Sequence, residues 1–346
     1  MGAGILEHAV DVFPEIPGAE RAFVVADQPV AGLYLSELES VLPWPAVHLP
    51  VPEGEEGKTL GTAEALYQQL ATQEMHRDDV IVALGGGSVG DVAGFVAATY
   101  MRGVPYLQAP TTLTAQVDAS IGGKTAVNLP RGKNLVGAFH QPRGVLSDVS
   151  TLRTLPDRTY RSGLSEVAKY GLAVDPSIVE LLELSVQEVL ARDERLLEDL
   201  VARCIRAKAS VVEHDERDTG LRHVLNYGHT LGHAIERIEG YRGASHGEAV
   251  ALGMLFAAHL AEITGLAAPG LVGRHRRVLA PLGLPAHRDV PDAEAVLEAL
   301  RLDKKYRGGV RFVLLEDLGR AQLVENVSDA EIREALARLA AGGFGA

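Results

Sequence analysis

The sequence contains one cysteine, Cys204, in 346 residues, so no disulfide can close within the chain and a reducing compartment is expected. It has no block of lysine and arginine, and its formal net charge is −13. A field of that sign repels nucleic acid and anionic membrane surfaces. The start, MGAGILEHAVDVF, lacks a basic segment followed by a long apolar run, so no secretory signal is expected there. Leu6 stands where a myristoylation pattern needs Ser or Thr. The longest apolar stretch, AVALGMLFAAHLA (249–261), is interrupted by His259 and falls short of the roughly 20 residues that span a bilayer. Internal repeats and low-complexity segments are absent too. These absences point to a cytoplasmic protein that acts on small molecules.

What is present is ordinary for an enzyme: 47% hydrophobic and 23% charged residues. The length favours two domains. Up to residue 155, short apolar runs alternate with helical spacing. AFVVAD (22–27), VIVALGG (80–86), YLQAP (106–110) and GVLSD (144–148) read as strands. TLGTAEALYQQLATQ (59–73) and SVGDVAGFVAATYM (88–101) read as helices. This predicts an α/β domain over 1–155, with a parallel sheet of Rossmann type. From 156 to 346 the apolar spacing is helical, apart from VRFVLLE (310–316), and SDAEIREALARLA (328–340) reads as a helix capped by Ser328 or Asp329. A mainly α-helical second domain is expected.

Three motifs carry chemistry. Gly85, Gly86 and Gly87 sit between a predicted strand and a predicted helix, the setting in which backbone N–H groups receive a phosphate; a tight turn is the plainer reading. The spacing is neither G-x-G-x-x-G nor a nucleotide-hydrolysing loop. PTTLTAQVDASIGGKTAVN (110–128) and RGKNLVGAFHQP (131–142) place Asp118, Lys124, Lys133 and Asn134 among Gly, Thr and apolar residues, which suits partly buried cations facing an anion. LNYGHTLGHA (225–234) puts His229 and His233 on one helix face. A catalytic zinc site takes three protein ligands and leaves one position open. Spacing alone offers His229, His233 and one carboxylate, with Glu166, Glu236, His246 and Glu248 as further candidates. Gly228 and Gly232 each cost a helix about 1 kcal/mol relative to Ala, so something must approach closely there.

Taken in order, VALGGGSVGD, RGVPYLQAPTTLTAQVDASIGGKTAVN, GKNLVGAFHQP, SGLSEVAKYG, LNYGHTLGHAIE and HGEAVALGM resemble the 3-dehydroquinate synthase family of sugar phosphate cyclases, over residues 50 to 320. The resemblance implies conversion of 3-deoxy-D-arabino-heptulosonate 7-phosphate to 3-dehydroquinate and phosphate, with NAD+ and a divalent metal, zinc or else cobalt. It implies Glu166, His229 and His246 as metal ligands, leaving His233 to face the substrate. NAD+ contacts fall on Asp27, Glu55, Lys58, Gly86, Gly87, Asp91, Thr111, Thr112, Lys133 and Thr154. Catalytic and substrate roles fall on Asp118, Lys169, Lys208, Arg222 and Asn226, with Lys124, Asn134, Lys304 and Lys305 beside them. Arg102 resembles an arginine that reaches the neighbouring subunit's site, which implies a homodimer. One departure stands out: Asp218 occupies a position where the family's pattern has Glu. The resemblance leaves an aminodehydroquinate-type cyclase and a glycerol-dehydrogenase-type oxidoreductase as rivals.

Overall fold

Strands that read as unbroken apolar runs belong in a parallel sheet covered on both faces, and the computed structural model places them there. It describes residues 1–130, 132–286, 292–302 and 310–342. Lys304 and Lys305 lie outside them. The chain divides into two units, Met1–Pro156 with Glu194–Ile205, and Asp157–Asp193 with Arg206–Ala346.

In the first unit, β1 (Ala22–Asp27), β2 (Ala46–Val51), β3 (Val80–Gly85) and β4 (Tyr106–Pro110) form a sheet of order β2-β1-β3-β4-β7. A two-residue β7 (Gly144–Val145) closes the edge beyond a hairpin of β5 (Lys124–Leu129) and β6 (Gly132–Phe139). Every pairing in the sheet is parallel. Phe23, Ile81 and Tyr106 lie in register on one face, while Val24, Val82 and Leu107 lie on the other. Helices α1 (Ala9–Val12), α2 (Gln28–Val41), α3 (Leu60–Thr72) and α4 (Gly87–Thr99) belong to this unit. Most of α4 is buried, from Val89 to Ala97 apart from Asp91, and its glycines let neighbours close in. A Cβ on Gly94 would stand 2.5 Å from the Thr125 side chain of β5.

The second unit is helical, as the spacing predicts. It holds α5 (Asp157–Ala173), α6 (Pro176–Leu184), α7 (Val186–Leu190) and the end of α8 (Glu194–His214), whose first part groups with the first unit. Then come α9 (His229–Ile238), α10 (His246–Ile263), α11 (Leu271–Leu279), α12 (Ala293–Leu302) and α13 (Asp329–Ala340), with a hairpin of β8 (Phe312–Asp317) and β9 (Arg320–Val324) between the last two. The apolar stretch 249–261 is the buried body of α10, packed against α5, α9, α11, α13 and β8. Among the described residues, no helix is long and apolar enough to cross a membrane. Ser245 and Glu248 form a capping box that starts α10, and Ser328 and Glu331 form another at α13.

The glycines around the histidine motif have a backbone reason. Gly228 sits at φ +78°, and a Cβ there would meet the Met254 side chain at 2.6 Å and the Val250 carbonyl at 2.7 Å. A Cβ on Gly253 would stand 1.8 Å from the Gly228 carbonyl oxygen. Here α9 and α10 therefore touch backbone to backbone. Gly253→Ala must push them apart and is expected to destabilise the fold by about 3 kcal/mol, the upper range for overpacking. Urea unfolding measures this, and an unchanged midpoint would show that the contact is dispensable.

Candidate metal and substrate site

Three elements of the second unit converge on one carboxylate. Glu166 lies on α5, His229 is the first residue of α9 and His246 the first of α10. The Glu166 Oε1 atom is 3.6 Å from His229 Nε2 and 3.3 Å from His246 Nε2. The three ligand atoms lie within 4.8 Å of one another. Two metal–ligand bonds of about 2.1 Å at a tetrahedral angle place donor atoms about 3.4 Å apart, so the spacing suits zinc or a cation of similar size.

The other ring nitrogens sharpen this fit. His229 Nδ1 is 3.1 Å from the Tyr227 carbonyl oxygen, which can only accept, so Nδ1 carries the proton. Burial holds the His229 pKa down to about 3, against the pull of Glu166, and the ring is neutral. Its Nε2 lone pair then faces a carboxylate oxygen, a repulsive pairing unless a cation lies between them. His246 Nδ1 is 3.5 Å from Glu236 Oε2. A metal-bound imidazole whose second nitrogen is held by a carbonyl or carboxylate is the arrangement that fixes ligand orientation. Burial lowers the pKa of His246, but Glu166 and Glu236 outweigh it and raise the value to about 10. The site without metal thus holds one proton where a metal would sit.

His233 stands apart from this contact. It is exposed, with its ring centroid 5.4 Å from that of His229 and 6.4 Å from that of His246. The helical pair is therefore divided, with His229 facing the carboxylate and His233 facing outward. Glu248 caps α10 and pairs with Arg158, and Glu236 supports His246, so neither reaches the cluster of ligand atoms. On α5, Lys169 is buried with its Nζ 2.5 Å from Glu166 Oε2 and 4.8 Å from the Tyr170 ring centroid.

Lys208 and Arg222 are also buried cations of this unit. Arg222 is held by its backbone and by its side chain, since its N–H donates to Asp215 Oδ2 at 3.1 Å and its Nη1 donates to the Glu216 carbonyl at 2.7 Å. Asp215 also accepts from the N–H groups of Thr219 and Gly220, and these hydrogen bonds hold its carboxyl well below the usual range. Asp218 lies in the same loop at φ +56°. Asp tolerates the left-handed region better than longer side chains do, which suits it to this position. Asn226 ends the short 3₁₀ turn Leu221–Asn226 just before the histidine helix.

The first unit gathers the expected cofactor residues at the carboxyl ends of its strands, where α/β sheets bind ligands. Asp27 ends β1 and accepts from Val30 N–H at 3.0 Å. Gly86 precedes α4 and offers no side-chain cap, which leaves the first-turn amides of a helix open to an anion. Lys58 forms a close ion pair with Asp91 of α4. Thr111 and Thr112 follow β4, and Thr111 N–H donates to Gly85 O at 2.9 Å. Thr154 shares a 2.5 Å hydrogen bond with Tyr34, a residue that no sequence signal marked. Glu55 accepts from Ser88 and Asn128, and although burial raises its pKa, Lys58 and these hydrogen bonds lower it overall. Asp118 lies in a π-helical turn, Ala115–Ala119, while Lys124, Lys133 and Asn134 belong to the β5–β6 hairpin. Arg102 is exposed at φ +68°, beside Met101 at φ +47°.

Two family models match this chain, 3-dehydroquinate synthase N-terminal over residues 48–162 and 3-dehydroquinate synthase C-terminal over 163–306. The 3-dehydroquinate synthase of Geobacter metallireducens is 48% identical over 327 residues, covering 93% of this chain and 91% of the relative. Among solved structures, a 2-deoxy-scyllo-inosose synthase complexed with carbaglucose-6-phosphate, NAD+ and Co2+ superposes with a TM-score of 0.87 at 30% identity, covering 97% of this chain and 95% of that one. The 2-epi-5-epi-valiolone synthase of Streptomyces hygroscopicus subsp. jinggangensis 5008, with NAD+ and Zn2+ bound, gives 0.88 at 28% identity, with 97% and 94% covered.

Two outcomes follow from the divided helix face and the held proton. His246→Ala should abolish stoichiometric zinc, whereas His233→Ala should retain it and lose turnover; metal analysis of both proteins decides, and a zinc-free His233→Ala protein would reverse the assignment. In the metal-free protein the His246 pKa of about 10 lies above the ordinary imidazole value of about 6.5. Its protonated form therefore adds stability that is complete below pH 6.5 and disappears as pH rises through 10. Zinc must displace that proton, so loading at pH 7.5 should release about one proton. Calorimetry in buffers of different ionisation enthalpy counts it, and a release of none would contradict the arrangement.

Proposed function

The chain belongs to the 3-dehydroquinate synthase family, and from that premise we propose that it is a phosphate-eliminating carbon–oxygen lyase with NAD+ and a divalent metal as cofactors. It converts 3-deoxy-D-arabino-heptulosonate 7-phosphate to 3-dehydroquinate and inorganic phosphate. The observation that carries the metal assignment is the neutral His229 Nε2 aimed at the Glu166 carboxylate, with His246 completing the set. Glu166, His229 and His246 would hold the cation, which when bound lowers the energy of a substrate alkoxide. NAD+ held by the first unit would supply reversible hydride acceptance at a ring hydroxyl, for which a catalytic amount would suffice.

The chain's own residues bind and orient. Arg222 offers a planar fork suited to a carboxylate, and its buried frame fixes the direction of that fork. Lys208 and Asn226 complete that side, with Asp218 supporting. Lys124, Asn134, Lys304 and Lys305 supply donors and positive charge to the phosphate. Lys169 balances the Glu166 charge in a buried setting. His233, one helical turn beyond a metal ligand and exposed, is placed to move a proton at a substrate oxygen. Asp118 accepts a substrate hydroxyl. In the first unit, Asp27, Glu55, Lys58, Gly86, Gly87, Asp91, Thr111, Thr112, Lys133 and Thr154 bind NAD+. The exposed Arg102 supports a homodimer in which it serves the neighbouring site, and the buried, single Cys204 suits the cytoplasm.

With the heptulosonate phosphate and trace NAD+, the protein should release many equivalents of phosphate per NAD+. A colorimetric phosphate assay run beside absorbance at the NADH band reads both. Stoichiometric NADH without phosphate release would replace this reading with a net dehydrogenase.

A further inference from the structure

Asn128, the last residue of the 110–128 motif and given no role there, sits at an irregularity in the β5–β6 hairpin. The register runs from Val127↔Val136 directly to Leu129↔Gly132, so Asn128 alone faces Lys133, Asn134 and Leu135. Released from the ladder, its groups point in three directions. Its backbone N–H donates to the Lys58 carbonyl at 2.8 Å, in an isolated bridge beside Thr59. Its side-chain Nδ2 donates to Glu55 Oε2 at 2.7 Å. Its Oδ1 accepts from the backbone N–H of Asn134 at 2.9 Å, and Asn134 lies at φ +57°. Neighbouring chemistry fixes the amide orientation, because the Glu55 carboxylate can only accept and the Asn134 N–H can only donate.

We propose that Asn128 is a positioning residue that ties the Glu55–Lys58 cofactor turn to the Asn134 phosphate turn, so that one amide sets the geometry of both. The inference rests on the assignment of Glu55 to NAD+ and of Asn134 to the substrate phosphate. Glu55 is doubly held, by Asn128 and by Ser88, and Lys58 is anchored to Asp91 of α4. The Asn134 N–H is held by the Asn128 oxygen, so this left-handed turn takes its conformation in part from that oxygen. A side chain with both a donor and an acceptor on one planar group is needed, and Asn supplies it with little conformational freedom.

The two ends of the amide can be separated. Asn128→Ala removes both, and each hydrogen bond is worth about 1 kcal/mol, so NAD+ and inorganic phosphate should each bind about fivefold to tenfold more weakly. Asn128→Asp keeps the oxygen that Asn134 needs but sets a carboxylate against Glu55. It should weaken NAD+ as much or more, while phosphate affinity stays within about threefold of wild type, the allowance for one added exposed charge. Calorimetric titration of the full-length zinc-loaded protein with NAD+, and of its NAD+-saturated form with inorganic phosphate, reads both constants. A general loss of folding would move the two together in both variants and would overturn the proposal, as would wild-type affinities in both. Glu55→Ala and Asn134→Ala run alongside: if they leave the two affinities unchanged, the ligand assignment fails and the bridge with it. If they weaken binding while the Asn128 variants do not, the bridge alone fails.

Discussion

The contact between the Gly228 carbonyl and the α-carbon of Gly253 sets the rest of the second unit. Where that contact brings α9 and α10 together, the first residue of each helix carries an imidazole toward the same carboxylate. Any side chain at Gly253 would separate the helices by more than the tolerance of a metal–ligand bond. The site is thus assembled by backbone packing before it is assembled by charge. The capping box of Ser245 and Glu248 starts α10 at the residue before His246, and the left-handed turn at Gly228 starts α9 at the residue before His229. Two different helix-start devices deliver the two imidazoles.

Much of this was legible in the sequence. Parallel strands buried on both faces announce themselves as apolar runs, and Val80–Gly85 and Tyr106–Pro110 stand where VIVALGG and YLQAP predict them. The β5–β6 hairpin was not legible as strands, because β6 has no buried face and so no apolar alternation. GVLSD pairs with the sheet over only two residues. Strand β2 carries Pro50 and only partial burial, and it escaped notice for the same reason. At the site, helical spacing located His229 and drew His233 in with it. The groups that His229 faces come from α5 and α10, and no local period encodes a meeting of three separate helices. The family resemblance supplied that meeting, and the nitrogen geometry now gives it a physical basis. The Tyr227 carbonyl behind His229 had no signal of its own, since a carbonyl is common to every residue, whereas Glu236, a candidate ligand by spacing, stands behind His246 instead.

Charge follows the same division between global and local. The chain is strongly acidic, yet its buried cations, Lys58, Lys169, Lys208 and Arg222, are gathered in segments that would meet an anionic cofactor or substrate. Lys58 faces Asp91, Lys169 faces Glu166, and Arg222 donates to the Glu216 carbonyl, so these three do not float in solvent. An enzyme built in this way carries its selectivity for anions inside, while its exterior stays repulsive to polyanions.

The three candidate ligands differ in how far they lie from water. Their side chains are 1% exposed for Glu166, 13% for His229 and 37% for His246. A graded set of this kind has a direction. A cation held by these three would lie nearest to solvent at the outermost imidazole. Its residence time would then depend on the first turn of one helix, where His246 begins α10.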